Sequence, residues 1–258
     1  MKFARFLRKK ERKQTEVESW GLVTEDTIEV ISGPPFGRWS LTGEKLKVYQ
    51  VRYMAPCLPS KIICGGLNYK DHSEELGMQA PDEPIIFLKP SSSLQNPEGS
   101  IVKPPECNRL DFEAELAAVI KKKAKNISTE DAGEYILGYT CFNDVTARDI
   151  QRQDGQWTRA KSYDTFAPLG PVIVAGIDPN RLNIELFLNE KKMQSSNTSG
   201  MIVRVEKLVS IISGYMTLYP GDVISTGTPA GVGAMVPGDV VEVVIEKIGT
   251  LRNYVTEQ

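Results

Sequence analysis

Apolar and polar residues alternate almost from the first position, and the alternation predicts strands more often than helices. Residues 2–7 (K-F-A-R-F-L), 19–23 (S-W-G-L-V) and 27–31 (T-I-E-V-I) read as strands. The charged run 8–14 (R-K-K-E-R-K-Q) reads as a polar turn. Gly33-Pro34-Pro35 breaks the pattern, and Pro56 and Pro59 close a small β unit. Residues 1–58 are therefore expected to form a small N-terminal β domain, and residues 59–258 a larger one.

Beyond this point the texture changes. Residues 61–64 (K-I-I-C) predict a buried strand that stops at Gly65-Gly66, residues 69–77 predict one or two helical turns ending at Gly77, and residues 84–89 predict a further strand. Residues 110–120 (L-D-F-E-A-E-L-A-A-V-I) alternate cleanly and then become wholly apolar. Ser128-Thr129-Glu130-Asp131 has the form of a capping box and predicts a helix to Leu137. Residues 138–145 lead into a strand and then a polar segment. Val205, Leu208, Val209 and Ile212 have helical spacing within 204–217, and Pro220-Gly221-Asp222 and Pro237-Gly238-Asp239 each open a β run. Helices this few and short fit a mainly β (α+β) fold better than a parallel βαβ sheet.

Composition removes several classes. Lys plus Arg number 31 and Asp plus Glu 33, a net charge of −2. Without a basic excess to track a phosphate backbone, nucleic acid is not an expected partner. No apolar run approaches the roughly 18 residues of a membrane span. Cys57, Cys64, Cys107 and Cys141 form no C-x-x-C pair and read as reduced thiols, which points to a cytoplasmic protein. Seven Lys or Arg fall in the first 13 residues, but no apolar stretch follows to make a secretory signal. Glu11 and the preceding strand-like segment argue against a transit peptide.

The most informative local feature is Asp111, Glu113 and Glu115. At i, i+2 and i+4 of a strand they share one face, opposite Leu110, Phe112, Ala114 and Leu116. Like charges in a row repel unless something offsets them. Two readings follow: a solvated acidic face on an exposed sheet, or oxygen ligands for a hard divalent cation, Mg²⁺, Mn²⁺ or Ca²⁺. Asp144, just after the strand-like G-Y-T-C-F run, offers a third carboxylate from a neighbouring strand. Arg148 and Gln151 stand close by in sequence as candidates for substrate contact, or as ordinary surface residues. The lone histidine, His72, removes histidine-based zinc sites, and Glu75 three residues on shares its helical face. The pair reads as a general base with its orienting carboxylate, or as a structural His. The segment S-T-G-T-P-A-G-V-G (225–233) matches no nucleotide loop; its N–H groups or Thr hydroxyls are placed to reach a carboxylate ligand.

These stretches occur in an order that resembles the fumarylacetoacetate hydrolase family. The resemblance is carried by G-L-N-Y-K-D-H-S-E-E (66–75), P-I-I-F-L-K-P-S-S-S-L (84–94), L-D-F-E-A-E-L-A-A-V-I (110–120), G-Y-T-C-F-N-D-V-T-A-R-D-I-Q (138–151), Q-W-T-R-A-K-S-Y-D-T-F-A-P-L-G-P (156–171), S-N-T-S (196–199) and P-G-D-V-I-S-T-G-T-P-A-G-V-G (220–233). It implies a mixed β-roll, a homodimer and a Mg²⁺ or Mn²⁺ site held by Glu113, Glu115 and Asp144, with Asp111 a structural acid. It also implies His72 and Glu75 on a segment that closes over the site, Lys161 as the active-site lysine, and Arg148, Gln151 and Thr228 at substrate oxygens. Ala160-Lys161-Ser162-Tyr163-Asp164 departs from the family's G-K-S-F-D, and Asn189-Glu190 replaces Asn-Gly, which implies a changed hairpin turn.

The chemistry this implies acts on a small-molecule 2-oxo acid. The leading expectation is hydrolysis of a C–C bond in 2,4-dioxo acids (acylpyruvates) through a metal-stabilised pyruvate enolate, with His72 activating water, Glu75 holding the imidazole, Gln151 holding the water or oxyanion, and Lys161 stabilising the enolate charge. The alternative is decarboxylation or tautomerisation of oxaloacetate, or isomerisation of an unsaturated dicarboxylate such as 2-hydroxyhepta-2,4-diene-1,7-dioate. A metal-holding scaffold without turnover is the reading from another class, and it leaves the joint presence of His72, Glu75 and Lys161 unexplained.

Overall fold

The first strand-forming alternation runs further than the sequence suggests. In the computed structural model, which describes residues 1–10, 13–75, 77 and 83–258, strand β1 spans Lys2–Lys10 and β2 spans Lys13–Thr24. Most of the charged run 8–14 is therefore strand, and only its tip, 11–12, lies outside the described residues. The N-terminal unit continues through β3 (Thr27–Ile31), β4 (Leu41–Lys47) and β5 (Val51–Met54). Then come β6 (Ile62–Gly66), α1 (Lys70–Glu75), β7 (Ile85–Lys89), β8 (Leu94–Gln95), β9 (Ser100–Lys103), β10 (Leu110–Phe112) and β11 (Ala114–Ile120). The middle of the chain supplies β12 (Ile136–Asn143), β13 (Thr146–Ala147), α2 (Arg148–Asp154), α3 (Thr158–Lys161) and β14 (Ala167–Val174). The rest is β15 (Asn183–Leu188), β16 (Lys191–Asn197), α4 (Val205–Tyr215), β17 (Val223–Ser225), β18 (Gly233–Met235), β19 (Val240–Ile245) and β20 (Gly249–Glu257).

Among the described residues these strands make three sheets. The largest runs β4-β3-β2-β1-β14-β12-β11-β17-β6-β7, with β5 added to β1 and β8 to β14. The N-terminal strands thus join the same sheet as the rest, through Lys2↔Val174 and Phe3↔Ile173. A three-stranded sheet, β13-β10-β18, and a five-stranded one, β16-β15-β19-β20-β9, complete the mainly β fold. The wholly apolar end of 110–120 has a direct cause: β11 is covered on both faces. Leu116, Ala118 and Ile120 enter one core, and Ala117 and Val119 another.

One predicted helix is not formed. Ser128 and Asp131 do bond each other, Ser128 Oγ donating to Asp131 Oδ2 at 2.9 Å, but only a 3₁₀ turn follows, Ala132–Tyr135. From Ile136 the chain is taken by β12, which pairs with both β11 and β14, and the sheet hydrogen bonds outweigh a capping signal followed by Gly133. The Asn189-Glu190 departure is the two-residue turn between β15 and β16, and both residues have positive φ, 49° and 67°. That is the geometry for which glycine is favoured. No helix among the described residues is long and apolar enough to cross a membrane.

Candidate active site

The acidic strand is split where it matters. Leu110–Phe112 belongs to the small sheet and Ala114–Ile120 to the large one, so Glu113 sits at the junction. Its N–H donates to Asn143 Oδ1 at 3.0 Å, while Asp144 N–H donates to Glu113 O at 2.9 Å. These two bonds lay the end of β12 beside Glu113 and bring Asp144 to the acids. One carboxylate oxygen from each of Glu113, Glu115 and Asp144 lies within 4.8 Å of the others, and all three residues are buried. The solvated-face reading therefore does not hold. Three buried carboxylates converging with oxygen donors can hold a metal ion, and oxygen-only donors suit a hard cation.

The protein meets these charges with its own cations. Lys161 Nζ donates to Glu113 Oε2 (3.0 Å) and Asp144 Oδ2 (2.6 Å). Arg148 Nη2 donates to Glu113 Oε1, and Lys89 Nζ donates to Asp144 Oδ1 and to Val145 O (3.0 Å). Burial alone would raise the Glu113 carboxyl, but Lys161 and Arg148 outweigh it and hold it down at about 2. Glu115 goes the other way: burial, then the charges of Asp144 and Glu113, push it well above the ordinary carboxylate range. Its Oε2 accepts from Ser225 Oγ and from Gly227 N–H (2.9 Å). The glycine-rich segment thus reaches a triad carboxylate as expected, although the hydroxyl is that of Ser225 and not a threonine's.

Asp111 is outside the triad. It is 1% exposed, and its two oxygens accept from Arg109 Nε and Arg148 Nε, each at 2.8 Å. His72 Nδ1 lies 2.9 Å from Glu75 Oε2 on α1, and Gly231 N–H donates to Glu75 (3.2 Å to Oε1). Gln151 Oε1 accepts from Arg148 Nη1 at 2.6 Å, and Thr228 Oγ1 accepts from the buried Gln194 Nε2 at 2.9 Å. All the side chains singled out for metal, substrate and proton-transfer roles line one cavity of about 480 Å³. A cysteine nucleophile is not supported: Cys64, beside the triad, is fully buried, and burial followed by the charges of Asp144 and Glu115 pushes its thiol well up.

Sequence reasoning missed four contributors. Lys89 ends an apolar strand run, and nothing in its spacing connects it to Asp144. Gln194, which also accepts from Ala114 N–H at 3.0 Å, reads in sequence as an ordinary strand polar residue. Trp157 packs edge-on to Phe87 with ring centroids 5.1 Å apart, and a Cβ at Gly66 would stand 2.8 Å from its ring. Arg109 carried a usable signal: it continues the i, i+2 parity of the acids.

Comparison with known proteins gives the family. The family described as Fumarylacetoacetate (FAA) hydrolase C-terminal matches residues 61–256, and one described as Rv2993c-like, N-terminal matches residues 1–56. The chain belongs to the fumarylacetoacetate hydrolase family, whose members are enzymes that include isomerases and tautomerases. It is 44% identical over 218 residues to the mitochondrial oxaloacetate tautomerase Fahd2a of Rattus norvegicus, covering 80% of this chain and 70% of that one. The crystal structure of 5-carboxymethyl-2-hydroxymuconate delta-isomerase from Mycobacterium smegmatis superposes with a TM-score of 0.92 at 40% identity, covering all of both chains. That of 2-hydroxyhepta-2,4-diene-1,7-dioate isomerase from Mycobacterium marinum gives 0.90 at 41% identity, covering 100% of this chain and 99% of that one.

Proposed function

We propose that this protein is a divalent-metal-dependent enzyme that moves a proton between the 2-oxygen of a 2-oxo acid enol and carbon, C3 in a simple enol and C5 in a 2,4-dienol, as a tautomerase or isomerase of 2-oxo and 2-hydroxy dicarboxylates. The observation that carries the reading is the meeting of the buried acid triad and the His72–Glu75 pair in one cavity. Glu113, Glu115 and Asp144 would hold Mg²⁺ or Mn²⁺, which supplies Lewis acidity to the substrate's carboxylate and 2-oxygen. Glu75 holds His72 at Nδ1 and is itself held by Gly231 N–H, so Nε2 is the atom free to take the enol proton and deliver it to carbon, at C3 of a simple enol or C5 of a 2,4-dienol. Lys161 supplies an ammonium where negative charge develops on the 2-oxygen. Arg148 and Thr228 bind substrate oxygens.

Relatives of about 40% identity bearing tautomerase and isomerase names favour proton transfer over C–C cleavage. Hydrolysis of acylpyruvates is the second reading. It is supported by Gln151, whose Oε1 is engaged by Arg148, leaving its amide N–H groups to hold a water or an oxyanion. The test is a panel with and without EDTA: enol-to-keto conversion of oxaloacetate, isomerisation of 2-hydroxyhepta-2,4-diene-1,7-dioate, CO₂ release from oxaloacetate, and pyruvate release from acetylpyruvate. EDTA-sensitive ketonisation or isomerisation, lost in His72→Ala with the fold intact, supports proton transfer. Pyruvate release from acetylpyruvate with neither of these moves the assignment to hydrolysis. No EDTA-sensitive turnover of any of them overturns both.

A further inference from the structure

The cavity carries more cationic side chains than this chemistry uses. Asp111 divides its two oxygens between two guanidinium groups and grips each through Nε, which leaves the terminal nitrogens of both arginines to be used elsewhere. Those of Arg148 are spent inside the site, on Gln151 and Glu113. Those of Arg109 make no hydrogen bond or ion pair among the described residues, although its side chain, 46% exposed, lines the cavity. Arg152 lies one helical turn beyond Arg148 on α2, at i+4, and lines the same cavity. It too is without a partner among the described residues.

The charge balance points the same way. Among the described residues, the carboxylates lining the cavity number five, and the cationic side chains facing them, counting Lys89 behind Asp144, also number five. A divalent cation therefore leaves a double positive charge for the ligand to offset, which a dicarboxylate does and a monocarboxylate does not. Ile85, Phe87 and Trp157 give the same cavity apolar wall, which suits the carbon chain of such a ligand.

We propose that Arg109 and Arg152 form a second anion subsite at the cavity mouth, taking the distal carboxylate of a 2-oxo dioate, with Asp111 orienting Arg109. The proposal rests on the reading of the site as acting on 2-oxo acids and adds a length requirement. Arg109 is anchored over Asp111, two strand residues from Glu113, which is roughly 7 Å at strand spacing. A dioate with several carbons between its carboxylates spans that gap; a four-carbon acid such as oxaloacetate falls short of it.

The test is calorimetric binding to the full chain in Mg²⁺, with two acids that differ only in the distal group, 2-oxopimelate and 2-oxoheptanoate, and with pyruvate and oxaloacetate beside them. The wild type should bind 2-oxopimelate about tenfold or more tighter than 2-oxoheptanoate, as expected for charge-assisted bidentate bonds. Arg152→Gln should reduce that ratio, and Arg109→Gln with Arg152→Gln should bring it to near unity, while 2-oxoheptanoate, pyruvate and Mg²⁺ bind as before. Arg152→Gln leaves the Asp111 network intact and so separates loss of the subsite from loss of the fold. Equal wild-type affinity for the matched acids, or an equal loss of both in the variants, with pyruvate still bound in a Mg²⁺-dependent way, overturns the subsite alone. Absence of Mg²⁺-dependent binding of any 2-oxo acid overturns the subsite together with the reaction it rests on.

Discussion

Lys89→Met isolates the part of the site that the sequence concealed. Lys89 is 0% exposed, with its ammonium between Asp144 Oδ1 and the Val145 carbonyl and 5.9 Å from the Phe142 ring centroid. Methionine keeps the length and most of the volume, so the cavity cost is small. Three other changes follow. The Val145 carbonyl loses its ammonium donor, at about 1–3 kcal/mol. Asp144 keeps Lys161 at 2.6 Å but loses its second cation. Relief of the ammonium's own desolvation offsets part of this, and a net loss of about 3 kcal/mol is expected for the metal-free protein. For a chain of this size that is a fall in Tm of roughly 6–12 °C. With a divalent cation on the triad, Asp144 is neutralised from the other side, and the loss shrinks to about 1 kcal/mol, mainly the carbonyl. Saturating Mg²⁺ should therefore stabilise K89M by about 2 kcal/mol more than it stabilises the wild type, equivalent to roughly 30-fold tighter cation binding. Thermal unfolding in EDTA and in MgCl₂, with calorimetric titration of Mg²⁺, reads both quantities. An unchanged Tm in EDTA, or equal Mg²⁺ increments in the two proteins, would refute the role given to Lys89 as a countercharge.

Other predictions test separate parts of the structure. Gly227 has a φ of +91°, and an added Cβ would stand 2.8 Å from Asn68 Cβ and 3.2 Å from Gly65 O. Gly227→Ala should cost about 2–3 kcal/mol in urea unfolding and weaken Mn²⁺ binding, because its N–H holds Glu115. At the β15–β16 turn, Glu190→Gly should raise stability by about 1 kcal/mol, seen as a higher urea midpoint at constant slope, since glycine carries no penalty at positive φ. Glu115 is an acid whose carboxyl is raised by burial and by Asp144 and Glu113, so it favours the fold while protonated, and that contribution fades as pH climbs past its ordinary unfolded value. A cation must displace the same proton, so its stabilising increment should grow from about pH 5 to about pH 8; a flat increment across that range would count against Glu115 as a ligand.

What the chain determined by itself is whatever depends on near neighbours. Alternation put Asp111, Glu113 and Glu115 on one side and apolar residues on the other, because side-chain direction in a strand has a period of two. Three-residue spacing joined His72 to Glu75, and the Asn189-Glu190 departure located a turn. The order of the motifs identified the family. Local signals failed where a distant strand competed with them: the Ser128–Asp131 cap is made, yet β12 claims the residues beyond it, and the charged run 8–14 supplies the end of β1 and the start of β2 because these strands pair with each other and β5 pairs with β1 at Arg8.

Tertiary structure alone decided the electrostatics of the site. Lys89 and Asp144 are 55 residues apart, and no periodicity links them. They meet because β7 and the end of β12 are brought to one buried place, where an unpaired charge would be too costly to keep. The same burial turned the acidic face from a solvated edge into a convergent triad. It also gave two chemically identical carboxylates, Glu113 and Glu115, opposite shifts, since only the first is within reach of Lys161 Nζ and Arg148 Nη2 for hydrogen bonds.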